Sequence, residues 1–180
     1  MLDFACGSGA LACALLLRTP SLRVTLLDAD PLALRAAAHN AAAAAVAARR
    51  AGGATAAAAA AAAPRPPRRV LSDGWASLRP SARFRCIVAN PPAHAGAADH
   101  HGVIASLLSG APERLLPGGT LWLVAQAQVL IGRLAASAAV GSWRSVDAHV
   151  LAGGRFVAWE AVARGGCGEG EGAGDGHGSG

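Results

Sequence analysis

The stretch Phe84–His94, FRCIVANPPAH, decides how this chain is read. A mostly apolar run stops at an Asn, and two prolines follow. Proline has no N–H to give to a sheet ladder, so a strand ends at this point. An amide side chain and a rigid turn therefore stand at the lip of a buried strand.

Other β-like runs flank it. Met1–Ala5 reads as a strand entering a glycine turn, and Leu22–Asp30 (LRVTLLDAD) as a buried strand ending in acids. Arg69–Asp73 (RVLSD) and Thr120–Gln126 (TLWLVAQ) are two more, the latter preceded by a Pro117–Gly119 turn. Helical runs lie between them. Ala10–Arg18 is short and rich in Leu and Ala. A longer helix starts at Pro31, where a first turn tolerates proline, and Gly52 and Gly53 stop it. Gly102–Leu116 reads as a helix broken or kinked near Pro112, and Val129–Ala139 as another. Trp143–Ala163 holds two β-like runs joined at Gly153–Gly154, a hairpin signal. Strands alternating with helices predict an α/β fold: a mostly parallel sheet, helices on both faces and a C-terminal antiparallel hairpin.

The chain has 180 residues, enough for one domain with a sizeable core. That domain is expected over residues 1–164, with an Ala- and Pro-rich low-complexity insert at about 51–69. Residues 165–180, with nine glycines in sixteen positions, read as a disordered tail. All sixteen basic residues are Arg, and Lys and Tyr are absent. The Ala and Arg bias reads as a GC-rich coding habit. A net charge of +5 permits an acidic partner such as nucleic acid without requiring one. Its excess sits mainly between Arg49 and Arg85, around the insert.

Cys6, Cys13, Cys86 and Cys167 form no CxxC pair. They read as reduced, mostly buried thiols of an intracellular protein, cytoplasmic or organellar. No apolar run reaches membrane-spanning length, so no membrane partner is expected. The chain opens directly on MLDFACGSG, the end of a strand. This reads as a fragment or a late-started gene model, in which a targeting segment would not be seen.

Ligands of such sheets bind beyond the carboxyl ends of the strands, and four strand ends carry suggestive residues. Asp3–Gly9 (DFACGSG) offers Gly7 and Gly9 for close backbone approach, with Asp3 near the ligand's charged end; a plain tight turn is the alternative. Asp28, about twenty residues on, stands where an acid accepts from ribose hydroxyls, while Asp30 before Pro31 suits a helix N-cap. Asp73 suits either an adenine amine or an ordinary Asp-Gly turn. Asn90 and Pro91 close the set. In His94–His101 (HAGAADHH), adjacent histidines rarely face one ion, so no metal is expected.

These four sites in order resemble the class I S-adenosylmethionine-dependent methyltransferases, of Rossmann-like fold. The nearest resemblance is to the methyltransferase small domain group, and within it the small-subunit ribosomal RNA guanine-N2 methyltransferases of the C type. DFACGSG, LLDAD, NPPAH and GGRFVAWEA carry the resemblance, which covers Leu2–Arg164. It implies S-adenosylmethionine held by Asp3, Ala5, Gly7, Gly9, Asp28, Asp73 and Asn90. It implies catalysis by Asn90 and Pro91, whose carbonyls accept the N–H groups of a purine amine. It places Pro92, Ala93 and His94 against the target base. The implied partner is ribosomal RNA or the small ribosomal subunit, and the implied state a monomer. The same Asn-Pro-Pro chemistry also serves a protein glutamine or adenine N6, and a non-catalytic cofactor- or RNA-binding remnant is the third reading.

Two departures stand out. Ala5 replaces the first glycine of the turn, which a negative φ would tolerate. Ala93 replaces the usual aromatic, whose stacking on a base is worth about 1–3 kcal/mol, so reduced activity is expected. Trp75, Trp122, Phe156 and Trp159 are the candidates to compensate, each also a natural core residue.

Overall fold

The computed structural model describes residues 1–52, 65–91, 97–138 and 141–164, with residues 97–101 and 138 described by backbone alone. In chain order the elements are β1 (Leu2–Phe4), α1 (Ala10–Arg18), β2 (Thr25–Asp28), α2 (Pro31–Ala51), β3 (Arg68–Leu71) and β4 (Phe84–Ala89). Then come α3 (Ala97–Arg114), β5 (Leu115–Gln126), α4 (Ile131–Ala138), β6 (Trp143–Val150) and β7 (Phe156–Ala163). The sheet runs β3-β2-β1-β4-β5-β7-β6. β1 pairs in parallel with both β2 and β4, so the connections leave in opposite directions on either side of it. That is a topological switch point, where a crevice opens beyond the strand ends. β7 is antiparallel to both β5 and β6.

Side-chain alternation divides the core between the two faces. Leu2, Phe4, Ile87, Ala89, Leu121 and Leu123 face Ile104, Leu107 and Leu108 of α3 and Ile131 of α4. Leu2 and Ile87 are register partners and fully buried, positions where truncation to Ala typically costs about 2–5 kcal/mol. On the other face Leu26 and Val24 pack with Leu16 of α1 and with Leu34, Ala37, Ala41 and Ala45 of α2. The alanine bias thus has a packing use. Small residues at helical spacing bring α2 close, and a Cβ on Gly9 would stand 2.9 Å from the Ala37 Cα.

Local signals set several boundaries. Asp30 caps α2 by accepting the Leu32 N–H at 2.8 Å, and Pro31 occupies the first turn. At the β6–β7 hairpin, Gly153 and Gly154 take φ of +84° and +67°, values that favour glycine.

Three expectations are revised. The insert is narrower than about 51–69: Ala51 closes α2, and Arg68 and Arg69 pair with Thr25 and Leu26 as the start of β3. An edge strand that opens on two exposed arginines and buries Val70 alone has little apolar pattern to mark it. α3 runs unbroken through Pro112 to Arg114, without the bond that an N–H at position 112 would give to the Leu108 carbonyl. Finally, β5 begins at Leu115 rather than Thr120. Its register with β4 jumps from Phe84–Leu115 to Cys86–Thr120, so the Pro117–Gly119 turn is a bulge within the strand. The tail at 165–180 and the centre of the insert, 53–64, lie outside the described residues.

Candidate active site

Beyond the carboxyl ends of β1 to β4 lies a cavity of about 700 Å³, within the range of small-molecule sites. The turn after β1 supplies Ala5 and Gly7, β2 supplies Asp28, the exit of β3 supplies Ser72 and Asp73, and the exit of β4 supplies Asn90. Gly102, Val103 and Ser106 of α3 line it as well.

Asp28 organises this mouth. Its Oδ2 accepts the Gly7 N–H at 2.8 Å and its Oδ1 accepts the Asp30 N–H at 2.9 Å. The carboxylate is half-buried and each oxygen keeps a lone pair for a further donor. Ser72, buried at the β3 exit, donates its Oγ–H to the Gly74 carbonyl at 2.8 Å and accepts the Ser77 N–H at 3.0 Å. This folds the loop so that Asp73 is exposed on the cavity wall. Among the described residues the lining holds three carboxylates, Asp28, Asp30 and Asp73, and no Arg. Such a wall suits a ligand with hydroxyl and amine donors and a positive charge. S-adenosylmethionine has these features, and Ala5, Gly7, Asp28, Asp73 and Asn90 all line this cavity.

Asp3 and Gly9 sit elsewhere. Asp3 is 1% exposed, outside the lining, and its Oδ2 accepts the Ala12 N–H at 3.1 Å. Burial raises its pKa to about 7, against the lowering effect of the Ala12 bond, and the nearby Asp28 charge adds to the rise. Asp3 holds the start of α1 under the glycine turn. Gly9 is the N-cap of α1, packed on α2. Burial also raises the Cys6 thiol to about 12, and Cys6, Cys13 and Cys86 are unbridged. Cys167 lies outside the described residues.

Ala5 does not keep a negative φ. It takes φ +54°, a left-handed conformation costing an L-residue about 1–2 kcal/mol. The turn needs this bend whether or not glycine supplies it. Asn90 is exposed at the mouth and Pro91 behind it is buried. Pro92, Ala93 and His94 lie outside the described residues. None of the four compensating aromatics lines the cavity. Trp75 donates its Nε1–H to the Ser106 carbonyl at 2.9 Å and packs on Phe4, ring centroids 4.5 Å apart. Trp122 stacks on His149 at 5.4 Å, Trp159 packs against the main core and Phe156 stands at the hairpin. Among the described residues no group of three His, Cys, Asp or Glu is placed to hold a metal ion, and no helix is long and apolar enough to cross a membrane.

Sequence reasoning missed Ser72, Gly102, Val103 and Ser106. Ser72 had a signal, a hydroxyl before Asp-Gly. The α3 residues had none, since only the fold brings that helix to the mouth.

An open sheet with a crevice at its switch point and acids on successive strand ends defines a Rossmann-like nucleoside-binding domain. The chain belongs to the methyltransferase small domain family, whose model matches residues 1–148. It is 31% identical over 127 residues to ribosomal RNA small subunit methyltransferase C of Aeromonas hydrophila, covering 71% of this chain and 31% of that protein. It is also 29% identical over 144 residues to the release factor glutamine methyltransferase of Bordetella pertussis, covering 68% of this chain and 46% of that one. Among solved structures, it is similar to a T. thermophilus 16S rRNA N2 methyltransferase in complex with AdoMet and guanosine. That match has a TM-score of 0.60 and 25% identity, covering 91% of this chain and 37% of the other. The chain spans about a third of the length of the small subunit methyltransferase C relative.

Proposed function

We propose that the chain is an S-adenosylmethionine-dependent N-methyltransferase acting on the N2 amine of a guanine in small-subunit ribosomal RNA. The observation that carries this reading is the position of Asn90 on the wall of the same cavity as Gly7, Asp28 and Asp73. The likeness to small-subunit ribosomal RNA methyltransferases supports the choice of acceptor.

When bound, S-adenosylmethionine supplies a methyl group on a positively charged sulfur. Asp28 accepts from the ribose hydroxyls with its remaining lone pairs, and Asp73 accepts from the adenine amine. A purine amine is a weak nucleophile because its lone pair is conjugated into the ring. The Asn90 side-chain carbonyl and the Pro91 main-chain carbonyl accept its two N–H groups, which favours a pyramidal nitrogen with its lone pair aimed at the methyl. Pro91 has no N–H to compete, and its ring fixes the turn. Positioning and fixed dipoles therefore lower the barrier. Pro92, Ala93 and His94 follow as the target-binding segment, weakened by the missing aromatic. The enzyme works as a monomer, inside the cell or an organelle, where ribosomal subunits are found.

The relationship to a glutamine methyltransferase favours one second reading. A glutamine side-chain amide is also planar, conjugated and presents two N–H groups. Calorimetry with S-adenosylmethionine, then transfer of labelled methyl to unmodified small subunits and to a release factor, separates the two. Label in ribosomal RNA is the expected result. Label only in the protein selects the second reading, and binding without transfer to either identifies a non-catalytic remnant.

A further inference from the structure

We infer that the groove between α2 and the β3 edge is a track for the phosphate backbone of RNA. The choice of RNA rests on the proposed function; the groove itself rests on charge and geometry. From Pro31 to Ser72 the sequence holds Arg35, Arg49, Arg50, Arg65, Arg68 and Arg69 and no Asp or Glu. The fold gathers four of them, Arg35, Arg49, Arg65 and Arg69, and adds Arg23. Two adjoining grooves share Ala42, Pro66 and Pro67. One is lined by Arg23, Arg49 and Arg65, the other by Arg35, His39 and Arg69. Among the described residues neither lining contains a carboxylate.

Arg23, Arg35, Arg65, Arg68 and Arg69 are exposed. Among the described residues the ion pair formed is His149–Glu160, on β6 and β7 at the other edge of the sheet. Clustered like charges repel one another, and a coding bias toward Arg does not account for the exclusion of acids. Guanidinium groups match phosphate with paired donors. Arg35 and Arg49 are fourteen residues apart on one helix, about 21 Å at 1.5 Å per residue, a span of several phosphates. Ala, Pro, Leu and Val supply the apolar part of the described lining, without the buried aromatic anchors that carry most protein interfaces. Its upper end, at Leu32 and Arg35, adjoins Asp30 and Ala33 of the cavity wall. A strand lying in it passes the site, held by backbone contacts that position without reading sequence.

The test is the anisotropy of a labelled single-stranded oligouridine with the whole chain, from about 50 to about 200 mM salt. Each phosphate contact contributes about 0.7 to the log–log salt slope for single strands. The variant Arg23→Gln, Arg35→Gln, Arg49→Gln, Arg69→Gln should lower the slope by about 3 and the low-salt affinity at least tenfold. A control with Arg133→Gln, Arg144→Gln and Arg155→Gln should leave the slope unchanged, and both should keep S-adenosylmethionine affinity. Ala42→Glu, which puts one carboxylate where the grooves meet, should weaken RNA binding even if the quadruple variant folds poorly. An unchanged slope in the groove variant, or an equal change in the control, overturns the inference. So does polyglutamate displacing the probe as well as RNA does per charge, which would make the occupant an acidic protein. RNA bound through the groove with no methyl transfer leaves the track standing and sinks the proposed function. Transfer to ribosomal RNA with no groove effect does the reverse.

Discussion

Gly7 donates its backbone N–H to the Oδ2 of Asp28 at 2.8 Å, tying the turn after β1 to the end of β2. One side chain thereby shapes the glycine turn and presents acceptors to the cavity. Hydrogen bonds to a charged group contribute about 1.5–3 kcal/mol. Asp28→Ala should weaken S-adenosylmethionine binding by about that amount in calorimetry. Asp28→Asn, which keeps only one acceptor oxygen, should fall between. Unchanged affinity in Asp28→Ala would remove Asp28 from the ribose role.

Asn90 acts on the target amine in the proposed reaction, so its loss should separate turnover from cofactor binding. Removing one positioned polar group from a transition state typically costs about 10²–10³ in rate. Asn90→Ala should lose that much methyl transfer while calorimetric affinity for S-adenosylmethionine stays near wild type. Equal rates in the two proteins would reduce the Asn-Pro-Pro turn to a strand exit.

Ala5 at φ +54° is a local strain that glycine relieves. Ala5→Gly recovers about 1–2 kcal/mol of left-handed strain and gives back about 0.4–1 kcal/mol through a freer unfolded chain. A net gain of up to about 1.6 kcal/mol is expected, a rise of up to about 3–6 °C in Tm for a domain of this size. A lower Tm would show that the Cβ is a useful contact.

Asp3, with its pKa raised to about 7 by burial, binds a proton in the folded chain that the unfolded chain releases near pH 4. Between these values the folded state holds more protons. Stability therefore falls as pH rises, by up to about 1.4 kcal/mol per pH unit, and levels off above about 7. Asp3→Asn keeps an acceptor for the Ala12 N–H and cannot ionise. Urea midpoints measured at about pH 5 and pH 8 should differ less in the variant than in wild type. An equal pH dependence in both would mean that Asp3 is charged in the fold.

Much is legible in the sequence itself, because the forces concerned act within a few residues. α1 begins and ends where the Leu/Ala run does, Asp30 caps at a proline, and Gly153–Gly154 turn the last hairpin. Each depends on backbone geometry or on a hydrogen bond to a near neighbour. The mostly parallel sheet with its antiparallel C-terminal hairpin was legible as a class, since alternating strands and helices leave few ways to cover a sheet. The strand-end residues followed, and Ala5, Gly7, Asp28, Asp73 and Asn90 meet at one cavity. Tertiary structure alone decided the rest. Arg68 and Arg69 form a strand because β2 offers them a backbone edge, not because their side chains favour one. Asp3 and Gly9 belong to the same motif as Gly7 yet lie behind the cavity, because alternate strand residues face opposite sides and α2 closes over the turn. Ser106 and Trp75 reach the mouth and its flank through a contact spanning thirty-one positions. Contacts at that separation depend on how two layers pack, and a one-dimensional pattern does not carry that information.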